Sequence, residues 1–119
     1  MIELIHGDCM LCMKDFEDNE FDLAIVDPPY GIYKETKSTG FLRKYETQKK
    51  AIAWDTAPGP EYFKELFRVS KNQIIFGAQY FAEYLPSFSQ LIVWDKCTGD
   101  SYFADGEAAF CSIPGTLRI

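Results

Sequence analysis

The chain has 119 residues, 47% of them hydrophobic and 16% aromatic, which excludes a disordered polymer and bounds the protein to one domain. A formal charge of −6 argues against a uniformly basic nucleic-acid binder, and no stretch approaches the ~20 apolar residues of a membrane span. The start, Met1-Ile2-Glu3-Leu4, lacks the basic and apolar regions of a signal peptide, so the expected location is cytoplasmic. Cys9 and Cys12 form one close pair, but Cys97 and Cys111 do not complete a zinc ribbon, and reduced structural thiols are expected.

Short apolar runs alternate with helical patterns along the chain, so the expected class is α/β with a parallel sheet and flanking helices. A strand is predicted near 2–6, followed by Gly7-Asp8 and a helix near 9–17. Asp8 is an N-cap candidate for that helix; lying at a strand end, it is equally placed to accept a hydrogen bond from a ligand amino group. His6, the sole histidine, lies within the predicted strand and belongs to no ligand pattern.

The run Leu23-Ala24-Ile25-Val26 predicts a buried strand near 22–27, and it ends in Asp27-Pro28-Pro29-Tyr30. Two prolines cannot donate to a sheet, so the chain must leave the strand here with carbonyls open. An exocyclic amine could donate to the Asp27 carboxylate and the Pro28 carbonyl while Tyr30 stacks on the ring that carries it. As four letters alone, the motif is equally an ordinary strand-ending turn.

Residues 31–59 show no periodicity and read as a mobile loop. Lys34, Lys37, Arg43, Lys44, Lys49 and Lys50 face only Glu35 and Glu46 there, giving residues 34–50 a charge of +4 and the remainder −10. Such an island suits DNA phosphates, although solvated loop charges would look the same. A helix is predicted near 60–70, where Tyr62, Phe63, Leu66, Phe67 and Val69 make one apolar stripe. A strand near 73–77, a short helix near 78–85 and strands near 90–95 and 107–113 complete the reading.

These residues resemble the amino-group DNA methyltransferases that use S-adenosylmethionine and carry their D-P-P-Y motif near the amino terminus. The likeness runs through Leu4-Ile5-His6-Gly7-Asp8-Cys9 and Phe21 to Gly31, then Ile75-Phe76-Gly77-Ala78-Gln79-Tyr80-Phe81. It continues through Trp94-Asp95-Lys96 to Phe103-Ala104-Asp105-Gly106-Glu107. It implies a Rossmann-like methyltransferase sheet, mostly parallel with helices on both faces, and methylation of adenine N6 in DNA. By the same resemblance Asp27, Pro28, Pro29 and Tyr30 form the catalytic motif, and Asp8, Cys9 and Asp27 contact S-adenosylmethionine. Tyr30 and Phe103 would hold the flipped base, although for Phe103 hydrophobic packing is the favoured reading, and Lys34, Lys37, Arg43 and Lys44 would hold the DNA. The family's glycine-rich segment, of the form D-P-F-x-G-x-G, is absent from these 119 residues. The chain therefore reads as an amino-terminal portion with an incomplete sheet, expected to self-associate or to meet a partner chain that supplies that segment. A catalytically silent domain that still binds DNA or a partner is the alternative reading.

Overall fold

A computed structural model describes residues 1–32, 54–99 and 106–115. Asp8 opens the first helix, its Oδ1 accepting from the Met10 N–H at 2.8 Å, and α1 spans Cys9–Cys12 before tightening into a 3₁₀ turn over Met13–Asp15. The helix expected to reach residue 17 stops short because Phe16 is extended. Arg68 captures the Phe16 and Met13 carbonyls at 2.9 and 2.7 Å, and Asn19 turns the chain at φ 57°. Strand β1 (Phe21–Val26) follows, then α2 (Pro60–Val69), β2 (Ser70–Phe76), β3 (Gln90–Asp95) and β4 (Gly106–Cys111).

Helix α2 forms as its sequence dictates. Pro60 sits in the first turn, where a missing N–H costs nothing; Glu61 lies at the positive end of the helix dipole and Arg68 at the negative end. Its stripe buries Phe63, Leu66 and Val69. With Ile75, Ala78, Phe81 and Phe110, residues Phe63 and Leu66 make one core, in which Ile75 and Phe110 are wholly enclosed. Each such side chain contributes about 1.5–3 kcal/mol by leaving water. Buried polar groups inside this layer are paired: Ser70 Oγ donates to the Leu66 carbonyl at 2.6 Å, and Gln73 Nε2 donates to the Ser70 carbonyl at 2.7 Å.

The four strands form one open, mixed sheet in the order β1-β2-β4-β3. Strands β1 and β2 are parallel, whereas β4 runs antiparallel to both β2 and β3. The expected mostly parallel sheet is thus corrected. A parallel neighbour needs a crossover long enough to carry a helix, which the segment holding α2 supplies. Only the connection from β3 to β4 reverses the chain; that from β2 to β3 keeps the strand direction and leaves between them the place that β4 fills, and the predicted helix near 78–85 reduces there to a 3₁₀ turn over Ala82–Tyr84.

Helices on both faces are also not found among the described residues. Ala24 and Val26 pack under α2 with Ile75 and Phe110, while the alternate residues Leu23 and Ile25 of β1 point to the opposite face and stay exposed. The predicted strand near 2–6 does not form. Met1–His6 makes no ladder with the outer edge of β1, and Ile2 and Leu4 are exposed, since a strand exists only through a neighbour that takes its hydrogen bonds. No helix among the described residues is long and apolar enough to cross a membrane.

Candidate functional site

The parallel pair fixes where Asp27 stands. Val26 is in register with Ile75, so β1 and β2 end side by side and the chain emerges from the sheet at Asp27 and Gly77 together. The carboxyl ends of parallel strands are where open α/β sheets gather ligands. Pro28 is buried, Pro29 and Tyr30 are half-buried, and Asp27 is exposed. No described residue donates to the Pro28 carbonyl.

Tyr30 is locked rather than free. Its hydroxyl donates to Asp27 Oδ1 at 2.7 Å, and its ring stacks on Tyr80 at 4.8 Å with 23° between planes, edge-on to Phe81 at 6.0 Å. Gly77, at φ +76°, makes room for that ring: a Cβ there would lie 2.4 Å from Tyr30 Cε1. Burial first, and the bond to Asp27 second, raise the Tyr30 pKa well above the ordinary phenol value. The hydroxyl therefore remains a proton donor through the neutral range and aligns the carboxylate. The turn beyond is held from a distance, because the buried carboxylate of Asp55 accepts from the Gly31 N–H at 2.9 Å. Gly31 itself has φ +69° and lies so close to Ala57 that a Cβ would meet it at 3.1 Å.

On the face away from α2, an open cleft of about 230 Å³ is lined by Ile25, Val26, Asp27, Phe76, Trp94 and Glu107. Trp94 of β3 and Glu107 of β4 are direct cross-strand partners. Glu107 Oε1 accepts from Lys96 Nζ in a partly buried ion pair, and the same ammonium stands 5.4 Å from the Trp94 ring centroid. The sheet order brings these groups to Asp27: β4 inserts between β2 and β3, carrying residues from the last third of the chain to the ends of β1 and β2.

The expected site residues divide accordingly. Asp27 enters the cleft with Trp94 and Glu107, whereas Tyr30 buttresses Asp27 and is not among the lining residues. Asp8 is occupied as the α1 cap, and exposed Cys9 lies near Tyr62, whose hydroxyl is pushed up to about 12 by burial and secondarily by that thiol. Lys34, Lys37, Arg43, Lys44 and Phe103 lie outside the described residues. Sequence reasoning missed Asp55, whose contact spans 24 positions, and Tyr80 as the stacking partner of Tyr30.

The described residues do not build a whole site for S-adenosylmethionine. The cleft is smaller than the ~300–1,000 Å³ that encloses drug-sized ligands. Asp8 already spends Oδ1 on its cap, and no glycine-rich phosphate- or amino-acid-binding loop is present in the sequence. Compared with models of known protein families and with curated proteins, the chain has no match.

Proposed function

We propose that this chain is the acceptor-base portion of a DNA adenine-N6 methyltransferase, receiving a flipped adenine at Asp27-Pro28-Pro29-Tyr30. The observation that carries this reading is the placement of Asp27 in the lining of a cleft of about 230 Å³, with Tyr30 holding Oδ1 and the Pro28 carbonyl lacking a donor among the described residues. Oδ2 of Asp27 and the Pro28 carbonyl would each accept one hydrogen of the exocyclic amine. Two such acceptors draw the nitrogen toward tetrahedral geometry, freeing a lone pair otherwise delocalised into the ring, by positioning and electrostatics. Swinging the base out of a duplex costs a few kcal/mol, which stacking and these hydrogen bonds offset. Lys34, Lys37, Arg43 and Lys44 would meet the phosphates and make affinity fall with salt.

The methyl donor proposed by resemblance is S-adenosylmethionine, with Asp8 and Cys9 toward its adenosine and the glycine-rich segment supplied by a partner chain or by further sequence. The second reading is a domain that binds the base without transferring a methyl group. Calorimetric titration with S-adenosylmethionine, repeated for Asp8→Ala and Asp27→Ala, separates the two. Binding weakened by Asp8→Ala, together with labelled-methyl transfer to adenine-containing DNA that Asp27→Ala abolishes, supports the transferase. Absence of both leaves the silent domain.

A further inference from the structure

We infer that Trp94, and not Tyr30, supplies the stacking face for the base in this cleft, an inference that rests on the base-binding reading above. Tyr30 is already spent: Tyr80 covers its ring at 4.8 Å, Gly77 abuts its Cε1 side, and its hydroxyl is held by Asp27. Offering that ring to a base would mean breaking a stacked pair built over a glycine. Trp94, by contrast, is 55% exposed and lines the cleft. It lies two strands from β2, facing the same space as Ile25, Phe76 and the Asp27 carboxylate.

The surroundings of Trp94 also select the ligand class. Glu107 lies directly across from it but is neutralised by Lys96, so among the cleft's acidic groups Asp27 alone lacks a cationic partner. A neutral planar base that stacks on indole and donates from an amine satisfies both walls; an organic dication has only one carboxylate to meet. Lys96 stands 5.4 Å from the indole centroid and Glu107 is the cross-strand neighbour, so the indole is flanked on the sheet side by an ion pair that is already made before a ligand arrives.

The chain contains two tryptophans, so Trp54→Phe leaves Trp94 as the sole indole emitter. The probe is a single-stranded oligodeoxyadenylate, compared with an oligonucleotide of equal length and charge bearing abasic sites. Trp94 emission is expected to be quenched to saturation by the first and much less by the second. Trp94→Ala should weaken oligodeoxyadenylate binding roughly 5- to 150-fold, the equivalent of ~1–3 kcal/mol of base–aromatic stacking, while Trp94→Phe stays within a few-fold of the parent. Circular dichroism of both variants separates lost stacking from lost fold, and the quenching comparison between the two oligonucleotides, made on the Trp54→Phe protein, carries the test if the Ala variant unfolds. Equal quenching by the two oligonucleotides, or an unchanged affinity in a folded Trp94→Ala variant, overturns the assignment. The two ideas fail separately. Methyl transfer that survives Trp94→Ala removes the stacking role and keeps the transferase, whereas Trp94-dependent base binding without any transfer keeps the stacking role and removes the transferase.

Discussion

On the α2 side of the sheet Ile75 and Phe110 are completely enclosed, whereas on the other side Ile25 and Trp94 keep 63% and 55% of their surface in water. Both sides are built from the same apolar residue types, alternating along the same strands. What separates them is the neighbour: Phe63 and Leu66 of α2 cover one face, and the described residues place no helix over the other. Apolar area of the first kind holds the domain together; area of the second kind is available for recognition. The cleft with Asp27 belongs to the second face, while Tyr30, which aligns Asp27, is packed into the core on the first. The motif therefore bridges a stable layer and an exposed one.

The largest expected effect sharpens this contrast directly. Phe110→Ala should cost about 3–5 kcal/mol of unfolding free energy, since it opens a cavity under α2 that the rigid sheet cannot close. Trp94→Ala should stay within about 0.5 kcal/mol, as surface changes do. Paired urea titrations read both numbers, and equal losses would mean that the two faces are not energetically distinct. Next comes Gly77→Ala, expected to cost about 3 kcal/mol: a left-handed backbone strains any L side chain, and the new Cβ collides with the Tyr30 ring. This variant should also disturb the Asp27–Tyr30 bond, visible as a change in tyrosine near-ultraviolet dichroism, whereas Phe110→Ala should not act through that contact.

How much of this was legible in the sequence follows from what each element needs. Helix α2 needed only its own residues, Pro60 at the start and the stripe of Phe63, Leu66 and Val69, and it lies where the periodicity places it. Strand β3 likewise follows from Gln90 to Asp95. The Met1–His6 segment has an equally apolar sequence and no strand, because pairing depends on a neighbour that local pattern cannot supply. Strand direction was illegible for a related reason: alternation is identical in parallel and antiparallel ladders, and only connection length discriminates. In the site, the strand-ending position of Asp27 was readable from two prolines after an apolar run. The capture of Tyr30 by Tyr80 and the meeting of Asp27 with Trp94 and Glu107 depend on strand order, which places residues far apart in sequence side by side.

Smaller effects test the bridge between the faces. Tyr30→Phe removes one partly exposed hydrogen bond and keeps the ring stack, so stability should fall by about 1 kcal/mol while the Asp27 carboxylate loses its alignment. Any base binding or methyl transfer should then drop more than stability does; a loss in strict proportion to unfolding would make the hydroxyl merely structural. A milder effect is confined to acid. The bond from Arg68 holds the Glu65 carboxyl below its ordinary value of 4.5. Its folded pKa is depressed, so its contribution is complete above 4.5 and disappears as pH falls through the lower folded value. Glu65→Gln should flatten that part of a stability-against-pH curve, and Lys71→Met should do the same for the Asp22 carboxyl, lowered chiefly by its hydrogen bond from Lys71. Curves that coincide with the parent below 4.5 would show these pairs to be inert.

The weakest effect on folding carries the most information about the bare face. Ile25 shares its strand with Val26, one residue along and on the covered side, yet it keeps most of its surface in solvent. Replacing it by serine removes apolar area that folding scarcely buries, so unfolding free energy should change by no more than about 0.5 kcal/mol. The same area is available for burial between molecules, and the outer edge of β1 leaves backbone groups unpaired among the described residues. Light scattering over a concentration series should therefore find the parent chain associating and Ile25→Ser shifted toward the monomer mass at equal concentration. A parent that stays monomeric at high concentration removes self-association from the reading of this face. What then remains for its exposed side chains is the small cleft beside Asp27.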